Sequence, residues 1–388
     1  VIGLEPHREA SAGDGAFHGR ARPLRGLLAC ALVVTAGVAR ASAQTGTRGA
    51  AIDATAESKA KSEDGDESPW LLVPIFSSSP KLGVSAGALA GYLHYFDEKS
   101  QVSTFGINGQ YTSTGSIVAT AFGKASFDED RQRALALLAA GNIKNDYSNY
   151  LGSGVPLQTE DELRAFVARY LHRVEGDWFA GVQGIYTNYY LAGQNAFDDV
   201  VLDTLGLKGF TSGGAGFNLY HDSRDNENSP TRGWFMNANN VAYREWIAGS
   251  ENFDVYRVDF RGFLAHGEGN VLAARQFNQF TVGAPPAAFA PVQLRGYTMG
   301  EFLGKNMSSL EAEERFRIAE RWTTTFFAGI AALYGNGQTV TDSKNLYPGY
   351  GLGIQYVIKQ KEGMVLNLEF AGGKDGNYGV YMKFGYGF

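Results

Sequence analysis

Gly83-Val84-Ser85-Ala86-Gly87 spells the G-x-S-x-G of a serine-nucleophile elbow, and His221-Asp222-Ser223 gathers the three residue types of a catalytic triad. Neither pattern supports catalysis. An elbow needs a strand, a sharp turn and a helix, whereas Ser85 falls inside an alternating stretch with no helical pattern after it. Three adjacent side chains cannot line up as nucleophile, base and orienting acid. His94, His172 and His266 stand alone, without metal-ligand spacing. The expectation is a protein that is not an enzyme and holds no metal or cofactor. What the sequence offers instead is recognition by charge. Leu294-Arg295-Gly296-Tyr297 lies in a long loop with glycines, and Glu311 and Glu313 follow on one face of the next strand, beside Arg315 and Arg317. An arginine on a loop that folds inward can meet either carboxylate in a charge-assisted, bidentate pair and pin the loop as a plug.

The elements that would position such a lock are strands. Hydrophobic residues make up 44% of the chain, charged ones 19%, and the mean hydropathy is negative, yet the longest apolar run, Leu27 to Ala39, falls short of the roughly 20 residues a membrane helix needs. Period-two alternation fills the chain from Leu71 onward. Tyr350, Leu352, Ile354, Tyr356 and Ile358 share one face against Gly351, Gly353 and Gln355. Leu366, Leu368 and Phe370 oppose Asn367 and Glu369, and Tyr256, Val258 and Phe260 oppose Arg257, Asp259 and Arg261. Apolar outside and charged inside describes a membrane barrel wall around a wet lumen. The reading is an all-β fold, a transmembrane antiparallel β-barrel of about sixteen strands, with a long inward loop between strands 11 and 12. Connections alternate as such barrels require, with short turns such as Glu175 to Asp177 and long loops such as Gly283 to Met307. Asp222 to Gly233 is the exception, a long connection in a short-turn position. Three places read irregularly. The first strand, Leu71 to Phe76, looks short; Lys124 has no clear face; and Glu314 falls on the lipid face, where a mid-membrane carboxylate costs up to a few kcal/mol, so it belongs near an interface or the register differs.

Ahead of the barrel, Arg20, Arg22 and Arg25 precede the apolar run and Ala41-Ser42-Ala43 follows it, as in a secretory signal peptide cleaved before Gln44. Leu27-Leu28-Ala29-Cys30 mimics a lipoprotein site, but Cys30 sits within the run, with almost no apolar stretch before it. The division is 1–43 signal peptide with an upstream extension, 44–68 disordered acidic periplasmic tail, and 69–388 barrel. Cleavage would remove five arginines and three acids and take the net charge from −6 to −8, leaving no basic patch for nucleic acid and no cysteine for a disulfide. The tail is too short to bury a core of its own.

The chain closes with Val380, Met382, Phe384, Tyr386 and Phe388 on one face and Lys383 on the other, which resembles the C-terminal assembly signal of outer-membrane barrels, except that Lys383 stands where that signal has glycine. Asp222-Ser223-Arg224-Asp225, followed by Pro230-Thr231-Arg232-Gly233, resembles the periplasmic turn of the BamA/TamA (bacterial surface antigen) superfamily. Arg295, Gly296 and Tyr297, with Gly300, Phe302 and the strand from Leu310 to Phe316, resemble its loop and following strand. The resemblance spans Trp70 to Phe388. It implies an outer-membrane location in a Gram-negative bacterium, insertion by the outer-membrane barrel machinery, contact with outer-membrane lipid, and a part in outer-membrane protein insertion or polypeptide translocation. A passive channel, a structural protein or a lipid transporter on the same scaffold is the alternative. Two departures stand out. Phe326-Phe327 is followed by Ala328-Gly329-Ile330 and not by the family's aspartate, and the 44–68 tail is no periplasmic POTRA repeat, so a separate periplasmic partner or an unfolded client would be met directly.

Overall fold

The computed structural model describes residues 68–79, 81–147, 156–195, 198–200, 202, 211–297, 301–335, 337–360 and 363–385. The segments read as signal peptide and, but for Ser68, as tail, together with Tyr386 and Phe388 of the C-terminal pattern, lie outside the described residues. Sixteen strands close into one antiparallel barrel. In chain order they are β1 (Trp70–Ser79), β2 (Gly83–His94), β3 (Ser103–Thr112), β4 (Ile117–Phe127), β5 (Gln132–Tyr147), β6 (Leu157–Glu175), β7 (Trp178–Gly193) and β8 (Thr211–Asp222). The second half comprises β9 (Gly233–Tyr243), β10 (Phe253–His266), β11 (Asn270–Val282), β12 (Asn306–Arg317), β13 (Trp322–Tyr334), β14 (Leu346–Lys359), β15 (Met364–Gly373) and β16 (Tyr378–Phe384). Each strand pairs with its neighbours in sequence, and β1 closes on β16. A two-residue ribbon, Ala290–Pro291 against Leu303–Gly304, lies within the β11–β12 loop.

The outward faces are apolar and the ends are aromatic, as lipid on one side and water at two levels dictate. Tyr92, Phe96, Tyr170 and Trp322 are exposed at the short-turn end, and Tyr111, Tyr186, Tyr256, Tyr350 and Tyr378 nearer the long-loop end. Glu314 does face outward, three residues from the short-turn end of β12, where His266 Nε2 lies 2.7 Å from its carboxylate. It therefore sits at an interface and no mid-membrane cost arises.

Three expectations need correction. The first strand is not short: β1 runs ten residues and pairs with β2 at every position. Trp70-Leu71-Leu72-Val73 is apolar on both faces, so alternation cannot mark where it starts or stops. Lys124 points inward, buried at 6% exposure. Nor is the lumen wall charged throughout. Leu71, Val73, Ile75, Leu89, Leu137, Leu163 and Val167 make aliphatic patches on the inner face of β1, β2, β5 and β6, and most charges gather on the remaining wall and at the turn end.

Turns at the short-turn end are tied to one another. Asp97 accepts from Lys99 N, Ser100 N and Ser100 Oγ in its own turn and from Glu129 N in the next. The Ser100 hydroxyl above all, with those backbone amides, holds its carboxyl down at about 2. Its contribution is complete above the ordinary aspartate value of 3.8 and is lost only as pH falls through about 2. A carboxyl titration of Asp97 by NMR is expected to show that low midpoint, and a midpoint near 4 would contradict the turn-to-turn contact.

Candidate functional site

The β11–β12 loop turns into the barrel and packs its own apolar core against the inner wall. Val292, Leu294, Tyr297 and Phe302 of the loop bury with Phe277, Met307, Leu333 and Tyr347 of β11–β14. From that platform Arg295, 1% exposed, reaches three carboxylates. Its Nε donates to Glu311 Oε1 at 2.9 Å, and its Nη1 to Glu313 Oε2 at 2.6 Å and Glu369 Oε1 at 2.9 Å. Its guanidinium carbon lies 3.5 Å from the centroid of the Phe327 ring. Both carboxylates expected as alternatives are used together. The missing aspartate after Phe326-Phe327 is offset by Glu369 of β15, which sequence reasoning did not connect to Arg295. A signal existed: Lys383, the residue out of place in the C-terminal signal, donates to Glu369 Oε2 at 2.7 Å.

The residues after Arg295 dock on the last strands. Gly296 has φ +91°, and a Cβ there would meet Gly372 O at 2.7 Å, so only glycine fits. Its N–H donates to Tyr381 Oη of β16 at 3.2 Å. Tyr297 Oη donates to Pro348 O at 2.5 Å and accepts from Lys374 N at 2.7 Å, while burial pushes its phenol up to about 12. The loop tip therefore grips β14, β15 and β16 at once.

From the opposite mouth the Asp222-to-Gly233 connection also folds inward, which explains its length. Asp222 is held by Arg224 through two bonds, Nε to Oδ1 at 2.7 Å and Nη2 to Oδ2 at 2.9 Å. The Asp225 carboxylate caps the returning chain by accepting from Thr231 N and Arg232 N. Gly233, at φ +93°, has no room for a Cβ against Ser223 O. These are the expected motif residues, and they shape the turn. What sequence reasoning missed is its tip. Glu227, 5% exposed, accepts from Lys124 Nζ of β4 at 2.5 Å and Arg133 Nη1 of β5 at 3.3 Å. Burial alone would raise its carboxyl, but Lys124, Arg133 and Arg224 outweigh that and hold it well below the usual carboxylate range. Across the lumen, Arg315 Nη1 of β12 donates to Pro230 O at 2.8 Å, and Arg315 Nε to Glu313 Oε1 at 3.1 Å. Glu313 thus links the inward loop, through Arg315, to the turn.

The seam between β1 and β16 differs from every other pairing. Its register is Ser77 opposite Tyr381 and Ser78 opposite Val380, two pairs among the described residues, where β1 and β2 share ten. Ser85, the serine of the G-x-S-x-G pattern, is a buried wall residue with its Oγ 2.5 Å from Ser77 Oγ. His221 stacks on Trp234 with centroids 3.6 Å apart, and Asp222 serves Arg224, so the triad types form no relay.

No protein-family model matches the chain, and no curated protein matches it. Among solved structures it is similar to BamA from Haemophilus ducreyi lacking POTRA domains 1–3, at TM-score 0.54 and 12% identity over 90% of this chain and 78% of that one. It is also similar to CdiB from Acinetobacter baumannii, at TM-score 0.53 and 12% identity, and CdiB from Escherichia coli, at 0.54 and 11%. The match covers 80% and 84% of this chain but 58% and 66% of those two. The fold is that of these barrels.

Proposed function

We propose that this chain is an outer-membrane barrel of the BamA/TamA type, working in outer-membrane protein insertion or polypeptide translocation. It is exported by its signal peptide to the outer membrane of a Gram-negative bacterium, surrounded there by lipid, and meets an unfolded client or a separate periplasmic partner. It performs no covalent chemistry. The observation that carries the reading is the contact between the loop lock and the closing strand. Gly296 binds Tyr381 and Glu369 binds Lys383, so the plug is braced on β16, whose pairing to β1 spans two register positions among the described residues. A plug resting on a sparsely paired edge couples two events: releasing the loop frees the edge, and an edge strand with free N–H and C=O groups is a template for an incoming strand.

Cross-linking the seam tests this. Cys30 is the chain's one cysteine and lies in the signal region, so a Ser78→Cys/Val380→Cys pair in the mature protein has no competitor. Facing Cα positions of antiparallel strands fall within disulfide range. The oxidised pair is expected to fold and to stop accelerating the folding of an unfolded barrel client into vesicles, with reduction restoring it. Equal acceleration by oxidised and reduced protein would exclude the seam as the insertion route. No acceleration by either, together with a steady open conductance, would leave a passive channel.

A further inference from the structure

Outward positions of β14 carry large side chains, Tyr350, Leu352 and Ile354. Across β2–β5 the outward face is different. Ala88 stands opposite Gly109, Gly109 opposite Ala119, and Ala119 opposite Ala140, and this row of small residues ends on Arg164 of β6. It is the floor of an open, apolar trough of about 900 Å³, banked on the short-turn side by Ile107, Leu138, Phe166 and Tyr186. A Cβ at Gly109 would meet nothing within 4 Å. In a membrane, an occupant that matches the trough recovers the dispersion contacts that a gap would forfeit.

The trough slopes through the membrane. Neighbouring strands lie about 4.8 Å apart, so the steps from β2 to β6 carry it over about 19 Å. Arg164 lies eleven residues from the short-turn end of β6 and Ala88 six from that of β2, so the row descends from Arg164 into the hydrocarbon. One leaflet of that hydrocarbon is about 15 Å thick, and an acyl chain crossing it at a slant fits the length. At the upper end the surface turns polar. Along β6 the outward residues change from Tyr170 and Phe166 to Arg164, Glu162 and Glu160. Arg164 gives one N–H, from Nη2, to Glu162 Oε1 at 2.5 Å, in an exposed pair of little strength, and its other donors have no acceptor among the described residues. Asn188 of β7 stands opposite Arg164 in the register. Its Oδ1 accepts from Thr211 Oγ1 at 3.3 Å, and its Nδ2 has no acceptor among the described residues.

We propose that the trough holds one phospholipid whose head group carries both a phosphate and a primary ammonium. An acyl chain lies along the row from Ala140 down to Ala88, the phosphate accepts from Arg164 and Asn188, and the ammonium donates to Glu162. A guanidinium fork beside an amide donor suits phosphate oxygens. Charge selects the rest of the head group. Arg164 and Lys144 on this rim are matched by Glu162 and Glu160, Lys144 standing opposite Glu160, so there is no positive excess to attract an anionic lipid. A zwitterion meets each charge with its opposite, and a choline head group has no N–H to give a carboxylate. The inference requires a barrel in a membrane and not the insertion activity proposed above.

The test is native mass spectrometry of the full mature protein, folded into vesicles of equal parts phosphatidylethanolamine, phosphatidylcholine, phosphatidylglycerol and lipid A and released in mild detergent. Heat-dependent gel mobility checks that each variant is folded. Wild type is expected to keep one phosphatidylethanolamine per barrel, well above its share of the mixture. Arg164→Gln should lower that retention roughly tenfold, because hydrogen bonds to a charged group are lost. Glu162→Gln should erase the preference for phosphatidylethanolamine over phosphatidylcholine, and Gly109→Leu/Ala119→Leu, which fills the trough, should lower retention of every lipid. Retention in the proportions of the mixture, no retention, or a preference for phosphatidylglycerol or lipid A overturns the proposal. So does phosphatidylethanolamine retention unchanged in both Arg164→Gln and the filled trough, or a lipid preference unchanged in Glu162→Gln. A barrel dimer that the filled trough dissociates would assign the trough to a second copy of the chain and overturn it equally.

Discussion

Arg295→Ala is expected to destabilise the folded barrel by about 3–5 kcal/mol, the range for removing one partner of a buried ion pair. The size follows from what is left behind. Glu311, Glu313 and Glu369 are buried and lose their shared cation, while Arg315 still reaches Glu313 and Lys383 still reaches Glu369. The Phe327 ring also loses the guanidinium stacked on it. Arg295→Lys should recover only part of this, since a point charge cannot bond three carboxylates through a planar fork. Urea unfolding from vesicles, followed by tryptophan fluorescence, measures the change, and a loss below about 1 kcal/mol would place Arg295 among ordinary exposed ion pairs.

Glu369→Gln comes next in size, at about 2–4 kcal/mol, and its effect should concentrate at the seam. Glu369 Oε1 receives Arg295 and Asn367 Nδ2, and Oε2 receives Lys383. It therefore joins the loop to the strand that closes the barrel. Neutralising it leaves Lys383, 1% exposed, without this carboxylate. Glu369→Gln/Lys383→Met removes both charges and is expected to regain much of the loss, since a neutral pair of similar volume avoids the desolvation cost of an ion pair. The double-mutant cycle reads the coupling directly, and additive single losses would show that the two side chains do not act together. Hydrogen exchange of β16 amides should quicken in Glu369→Gln before the central strands change.

How far the sequence revealed this depended on whether a strand had two different faces. β10, β12 and β14 alternate between apolar and charged or small residues, and their limits and facing were readable to within a residue or two. β1, apolar on both sides at Leu71-Leu72-Val73, hid its length, and that stretch together with Leu135-Leu137-Leu138 of β5 hid the aliphatic lumen behind them. The lock was readable in its local half. Glu311 and Glu313 lie one strand from Arg295 in sequence, whereas Glu369 is 74 residues away and becomes a neighbour only when the barrel closes. Glu227 and Lys124 are 103 residues apart and meet because a turn crosses the lumen, which no periodicity encodes. Two anomalies pointed there all the same, a turn too long for its place and a lysine with no clear face.

The central claim, that a loop pinned by Arg295 closes the lumen, is tested most directly by single-channel recording. Wild type, Arg295→Ala and Glu311→Ala/Glu313→Ala would each be folded into planar bilayers and their currents compared. The account predicts a wild type that is closed most of the time and two variants that open to a larger, noisier conductance. Identical currents in all three would contradict it and make the barrel a simple pore.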